Sequence, residues 1–366
     1  MSPCCIGLPY LIQLMANPFC VFSESLIKFT NAILRSISRT PEETLNQWLN
    51  ESLGFNVSPY LREEWTRQWG TNVTNTMISS LLKEPKYVDI SSKYVYLEPN
   101  QRQIELGQLA KELAIDNRTA TILPHGTIRL YNSFGAIDTL PKFDTGSYWI
   151  QDAAAAIPAL ALIHAVKQPN PVVVDMCAAP GGKTAQLVAS GKFDRVVAIE
   201  VSPKRARLLR DNLARLQMNF SDVVIADAQY FIPPNKVAAV LLDAPCSATG
   251  TASRRPDVLR KNSLDFTQLL QTQRDLLRHA VDHVLDVGGL LVYATCSLLA
   301  SESEDQVHCL LADRPNVQTL PIQSGEVPGF DAAIDSQGWM RLLPGHLDEP
   351  CDGFFVARLI KISEYP

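Results

Sequence analysis

Five short runs of β-branched and aliphatic residues recur through the C-terminal part of the chain: "PVVVDM" (171–176), "RVVAIE" (195–200), "DVVIA" (222–226), "AAVLLDA" (238–244) and "GLLVYAT" (289–295). Longer amphipathic segments such as "SPKRARLLRDNLARLQ" separate them. Strands alternating with helices predict an α/β class with a mostly parallel, doubly wound sheet covered on both faces. In such sheets ligands bind beyond the carboxyl ends of the strands. Asp175, Glu200, Asp227, Asp243 and Cys296 lie at or just past those ends, so they are predicted to converge.

Upstream the pattern differs. "SLIKFTNAILRSIS", "TPEETLNQWLNESLG" and "SPYLREEWTRQWG" read as helices, with Thr40 as an N-cap and Pro41 at the first helical position of the second. Residues 86–150 read as a small α+β region with one helix near 101–113. A chain of 366 residues has room for two or three cores. Net charge is −5, so there is no global basic footprint of a DNA-coating protein, and any nucleic-acid contact is a local patch. Eight scattered cysteines without a C-x-x-C pair point to a reducing compartment. The apolar first 22 residues have no basic start and are interrupted by proline and asparagine, which reads as neither signal peptide nor membrane span. A cytoplasmic or organelle-matrix protein with no membrane partner is expected.

"DMCAAPGGKTAQL" (175–187) is a strand running into a small-residue turn and a helix. Gly181 and Gly182 would let backbone approach a ligand, and the helix start offers free N–H groups. A phosphate loop would need glycine at position 177, which is Cys, so a nucleotide triphosphatase is disfavoured. Glu200 follows the glycines by about 20 residues, where a carboxylate can accept both hydroxyls of a ribose, and Asp227 could hold an adenine amino group. One such acid is ordinarily a helix cap. Successive strand-end acids after a glycine turn indicate an adenosine-containing cofactor, and their charge suits a cation such as the sulfonium of S-adenosylmethionine.

Cys246 in "DAPCSATGTASRRPD" and Cys296 in "TCS" share one setting, a strand end followed by serine, whereas Cys309 and Cys351 lack it and read as structural. Arg254, Arg255, Arg260 and Lys261 cluster around Asp257. A solvated face is the ordinary reading, but their place after the Cys246 turn suggests a grip on a phosphate backbone. His279 and His283 are four apart on a helix without the glutamate of a zinc protease, so no metal is expected.

"DMCAAPGGKT", "DAPCSATG", "ATCSLL" and "RLLPGHLDEPCDGFFVARL" (341–359), in that order, resemble the Sun/Fmu-type, NusB-domain-containing RNA cytosine-5 methyltransferases, most closely those acting on small-subunit ribosomal RNA. The likeness covers about residues 25–361, and "YWIQDAAAA" resembles the entry to their catalytic domain. It implies a Rossmann-like methyltransferase fold in three parts. Residues 1–39 would be a remnant of the NusB-like helical domain, 40–150 a helical and α+β RNA-binding region, and 151–366 the S-adenosylmethionine-dependent catalytic domain. Residues 1–24 do not resemble the rest of a NusB-like domain, so the start is expected to be truncated or misassigned, or RNA docking to rest on what remains. Two other stretches depart from the family: "EPKYVDISSK", and Ser253 and Arg255 where relatives usually show Arg and His.

Position by position, the resemblance implies that Cys177, Ala178, Ala179, Pro180, Gly181, Gly182 and Lys183 line the S-adenosylmethionine site together with Glu200, Arg205, Asp227 and Asp243. Asp243 would lie between cofactor and base, Cys296 would be the nucleophile and Cys246 the cysteine that assists product release. The chemistry calls for these types. Carbon 5 of cytosine is a poor nucleophile until a thiolate adds at carbon 6, and Lys183 and the cationic cofactor would favour that thiolate. The expected partner is RNA, with the chain acting as a monomer. A transfer-RNA methyltransferase, a DNA-type enzyme using Cys246, and a non-catalytic RNA-binding or assembly factor are the alternatives. Intact Asp243, Cys246, Cys296 and Lys183 weigh against the last, and "TCS" against the DNA type.

Overall fold

The computed structural model describes residues 24–45, 56–132, 135–169, 171–218, 221–263, 266–347 and 350–364. The chain divides into two compact units, Met1–Val57 and Ser58–Pro366. The apolar N-terminal 22 residues and most of "TPEETLNQWLNESLG" lie outside the described residues. In the first unit α1 spans Glu24–Arg39. Thr40 does not cap the next helical turn: its hydroxyl donates back to Ser36 O at 3.0 Å, and Leu45 N–H bonds to Pro41 O at 3.0 Å. A threonine just past a helix end can satisfy the free carbonyls behind it as well as the amides ahead.

The second unit opens with α2 (Pro59–Leu81), where Ser58 Oγ accepts from Leu61 N–H. The expected helix runs on past Gly70, which takes φ +78° and breaks its regularity. Next come β1 (Tyr87–Ser92), α3 (Pro99–Leu113), β2 (Thr119–Ile122), β3 (Ile128–Tyr131) and β4 (Tyr148–Ile150). The four strands form an antiparallel sheet in the order β2-β3-β1-β4. Leu106, Leu109 and Leu113 of α3 pack on Ile90, Ile128 and Leu130 of that sheet. An ionic pair ties the sheet to the helix that begins at Ala153. Arg129, fully buried, makes a bidentate pair with Asp89 at 2.8 Å, and Asp89 Oδ2 also accepts from Ala153 N–H at 3.0 Å.

The larger sheet is built from β5 (Val172–Met176), β6 (Arg195–Glu200), β7 (Ser221–Ile225), β8 (Val237–Asp243), β9 (Leu285–Thr295), β10 (Val317–Thr319), β11 (Met340–Leu342) and β12 (Phe354–Lys361). Its order is β10-β12-β9-β8-β5-β6-β7, with β11 also on β12. The five runs singled out in the sequence are the parallel centre, and β12 enters antiparallel beside β9. Alternate residues serve opposite faces. Val173, Ala239, Leu241 and Val292 pack toward α4 (Ala153–Ala165) and Leu187 of α5 (Gly182–Ala189). Val174, Val240, Leu242 and Tyr293 pack toward Leu276 and Leu277 of α7 (Thr267–His279) and Leu310 of α8 (Glu304–Asp313). Burial on both sides is why these strands read as unbroken apolar runs. α6 (Pro203–Arg215) follows β6. Because β6 and β8 lie on opposite sides of β5, strand order reverses between β5 and β8 and opens a crevice at their carboxyl ends. Among the described residues no helix is long and apolar enough to cross a membrane.

Candidate active site

The turn after β5 is held from several sides. Cys177 takes φ +64° and Gly181 φ +105°, and Ala178 N–H bonds to Ile199 O at 2.9 Å. A Cβ on Gly181 would stand 2.4 Å from Leu209 Cδ1, and one on Gly182 would stand 3.3 Å from the Gln151 side chain. These glycines give closeness to α6 and to the Gln151 loop, and both also line a cavity. Beneath the turn Asp175 is wholly buried and accepts from Thr184 Oγ–H at 2.5 Å, and burial pushes its carboxyl up to about 7. Folded protein thus holds a proton that the unfolded chain releases near pH 4. Stability is expected to fall as pH rises from about 4 to about 7 and to level above. Asp175→Asn should flatten that part of the curve in denaturant titrations at several pH values. An unchanged slope would remove Asp175 as its source.

Of the five strand-end residues, Glu200, Asp227, Asp243 and Cys296 converge on one cavity, whereas Asp175 lines only the neighbouring one. Cys177, Glu200, Asp227, Asp243, Cys246 and Cys296 line one cavity of about 530 Å³, with Arg255. A second cavity of about 350 Å³ shares Cys177, Ala179 and Asp243, and is lined by Lys183 and the rest of the turn. Glu200, 1% exposed, accepts from Ser202 N–H with Oε1, and Oε2 has no hydrogen-bond partner although Arg205 Nη1 stands 3.4 Å away. Arg205 Nη2 donates to Ala179 O at 2.6 Å and so fastens α6 to the turn. Asp227 Oδ1 accepts from Gln229 N–H at 2.9 Å. Lys183 Nζ donates to Asp243 Oδ2 at 2.7 Å. Burial opposes the Lys183 charge, but Asp243, and then Cys296 and Asp175, push its pKa up, so the ammonium persists.

The two thiols meet at 3.4 Å, Sγ to Sγ. The hydrogen bond to Cys296 and burial push the Cys246 thiol well up. Each cysteine is followed by a serine, and both serines reach one carboxylate. Glu302, wholly buried, accepts from Ser247 N–H at 2.8 Å, Ser247 Oγ–H at 2.5 Å, Gln273 Nε2 at 3.0 Å and Ser297 Oγ–H. Gly250 N–H bonds to Cys296 O at 2.9 Å. A Cβ on Gly250 would fall 2.2 Å from Gly353 O, so glycine is required where these loops cross.

The basic cluster divides. Arg254 is taken up by Asp152 (2.8 Å) and Asp352 (3.1 Å), and Lys261 Nζ donates to Ser247 O at 2.9 Å. These two cations hold loops together, and it is Arg255 that lines the cavity. His279 Nε2–H donates to Phe231 O at 2.7 Å. Among the described residues no group of three potential metal ligands occurs. Glu302, Gln273 and Asp152 were not singled out in the sequence. Glu302 sits in "SESEDQ", which reads as an acidic helix start, and the repeated Cys-Ser pair was the signal that could have led to it.

The residues fit S-adenosylmethionine on structural grounds. Glu200 lines a cavity of about 530 Å³, and its Oε2, which takes no hydrogen bond and has Arg205 Nη1 at 3.4 Å, is an acceptor suited to ribose hydroxyls. A crevice at the switch point of a parallel sheet, with a turn and carboxylates at successive strand ends, is the arrangement of a Rossmann-like S-adenosylmethionine-dependent methyltransferase. Residues 162–360 match the family described as 16S rRNA methyltransferase RsmB/F. The chain is 30% identical over 344 residues to ribosomal RNA small subunit methyltransferase B of Cronobacter sakazakii, covering 90% of this chain and 72% of the relative. It is 36% identical over 235 residues to methyltransferase F of the same organism, covering 62% of this chain and 48% of that protein. The solved structure of a methyltransferase homologue from Pyrococcus horikoshii superposes with a TM-score of 0.67 at 25% identity, over 88% of this chain and 100% of that one. The chain belongs to the 16S rRNA methyltransferase RsmB/F family.

Proposed function

We propose that this protein methylates carbon 5 of a cytosine in small-subunit ribosomal RNA, through a transient bond between Cys296 and carbon 6 of the base. The observation that carries the reading is the pair of thiols 3.4 Å apart at the ends of adjacent strands, in the cavity lined by Glu200, Asp227 and Asp243. Residues 177–183, Glu200, Arg205 and Asp227 hold S-adenosylmethionine, which supplies an electrophilic methyl group. The Cys296 thiolate adds to carbon 6, and the ring's electrons become available at carbon 5. Asp243, fixed by Lys183 at 2.7 Å, hydrogen-bonds the ring at N3 or its amine as charge develops there.

After methyl transfer the proton at carbon 5 must leave. A base takes that proton, and Cys246, 3.4 Å from the Cys296 sulfur, is placed to help the elimination. The carbon 6–sulfur bond then breaks and its electron pair returns to Cys296. The target base has to be unstacked to reach the thiols, so a loop or splayed strand is the substrate. Arg255 offers its guanidinium to a backbone phosphate at the cavity. Residues 58–150 dock RNA, residues from 151 onward carry the chemistry, and the enzyme works as a monomer in the cytoplasm.

Transfer from labelled S-adenosylmethionine to unmodified small-subunit ribosomal RNA, with transfer RNA in parallel and digestion to nucleosides, tests this. The expected product is 5-methylcytidine in ribosomal RNA. Label in transfer RNA alone would overturn the substrate, and label in any other nucleoside would overturn the chemistry.

A further inference from the structure

We propose that Glu302 is a positioning residue that couples the two thiols by holding both Cys-Ser turns on a single carboxylate, a role that rests on the two-thiol reading. The turns come from different strand ends, 50 residues apart in sequence, and no backbone ladder joins Cys246 to Cys296. Glu302 bridges them. Oε2 takes the hydroxyls of Ser247 and Ser297, while Oε1 takes Ser247 N–H (2.8 Å) and Gln273 Nε2 (3.0 Å). Gln273 Nε2 also donates to Pro245 O at 2.9 Å, which ties α7 into the same knot.

An acceptor-only group suits this position. Four donors converge, and a carboxylate has about four lone-pair sites and no hydrogen of its own. The remaining hydroxyl in the knot, Thr249 Oγ, accepts from Leu298 N–H at 2.9 Å and lies within 3.4 Å of both serine oxygens. An amide at position 302 would keep one oxygen for Ser247 N–H and Gln273 Nε2 but turn its NH2 on the Ser247 and Ser297 hydroxyls, which would then have to accept where they now donate and would lose the shared carboxylate oxygen.

Loss of the carboxylate acts unequally on the two turns. The Cys296 turn keeps Gly250 N–H on Cys296 O (2.9 Å) and Arg341 Nη1 on Ser297 O (2.7 Å). Ser247, wholly buried, loses the acceptor of its N–H and the shortest contact of its hydroxyl, and keeps Ser297 Oγ at 3.1 Å and Lys261 Nζ on its carbonyl at 2.9 Å. Cys246 therefore drifts from Cys296, and the step it serves, resolution of the adduct, slows more than methyl transfer.

The test compares wild type, Cys246→Ala, Glu302→Gln and the double variant on small-subunit ribosomal RNA transcribed in vitro, with cofactor binding by calorimetry as the check on folding. Single-turnover methyl transfer, multiple turnover and denaturation-resistant protein–RNA adduct are read in each. Glu302→Gln is expected to keep its first-turnover burst, to lose about 10- to 100-fold in multiple turnover, and to accumulate adduct as Cys246→Ala does. The double variant should be no worse than Cys246→Ala. A merely structural role would lower burst and adduct together, and that result overturns the proposal, as does wild-type turnover without adduct. If Cys246→Ala itself traps no adduct, the two-thiol reading falls and this proposal with it. If Glu302→Gln does not bind cofactor, Ser247→Ala is read in the same assay. Intermediate adduct supports the coupling and none overturns it.

Discussion

Cys296→Ala is expected to reduce methyl transfer by about 10³-fold or more while S-adenosylmethionine binding is retained. The side chain lies in the cavity beside Asp243, and its loss touches none of the contacts that fix the 177–183 turn, Glu200 or Asp227. Without a sulfur to add at carbon 6, carbon 5 stays a poor nucleophile, and neither Asp243 nor Lys183 can substitute for that bond. The neighbouring thiol makes the experiment sharper. Cys246 is only 3.4 Å away and could in principle attack instead, as in a DNA-type mechanism. Its pKa, pushed well up, argues that it is protonated at rest. The variants should therefore differ in kind. Cys296→Ala forms no denaturation-resistant complex with RNA, and Cys246→Ala forms one that persists. Phenotypes exchanged between the two positions would make Cys246 the nucleophile, and full transfer by Cys296→Ala would sink the covalent mechanism.

The largest loss of stability is expected from Arg129→Leu, about 3–5 kcal/mol in the free energy of unfolding. Arg129 and Asp89 are both 0% exposed at their side chains, and the guanidinium also lies 3.9 Å over the Tyr87 ring. Burial already works against the Asp89 charge, and Arg129 is what offsets it. Removing the cation leaves a carboxylate in a dry site facing the like charge of Asp152. Asp89→Asn combined with Arg129→Leu should recover part of the loss, because an amide oxygen can still accept from Ala153 N–H without bearing charge. Denaturant midpoints followed by tryptophan fluorescence measure both variants. A single-variant loss below about 1 kcal/mol would mean that this pair does not anchor the small sheet to α4.

Several elements were legible for local reasons. β5, β8 and β9 declared themselves because each carries a run buried on both faces, β6 and the edge strand β7 because their residues are β-branched and aliphatic, and "SPKRARLLRDNLARLQ" because its apolar residues recur at helical spacing. Other features had no local signature. The charge of Arg254 was plain, but its partners Asp152 and Asp352 lie 102 and 98 residues away, so a cation that staples loops looked like one that grips phosphate. Gly181 announced a tight turn, yet only the packing of α6 showed that Leu209 occupies the space beside it.

The sequence by itself determined the alternation of strands and helices and the placement of Asp175, Glu200, Asp227, Asp243 and Cys296 at strand ends, since both follow from periodicity over a few residues. Tertiary structure alone decided that β8 and β9 are neighbours, that their cysteines meet at 3.4 Å, and that Glu302 takes a bond from the serine after each. Those contacts span 50 or more positions on the Cys246 side and depend on the order in which strands enter the sheet. Local pattern does not encode that order, because any of the apolar strands could bury its two faces equally well beside another.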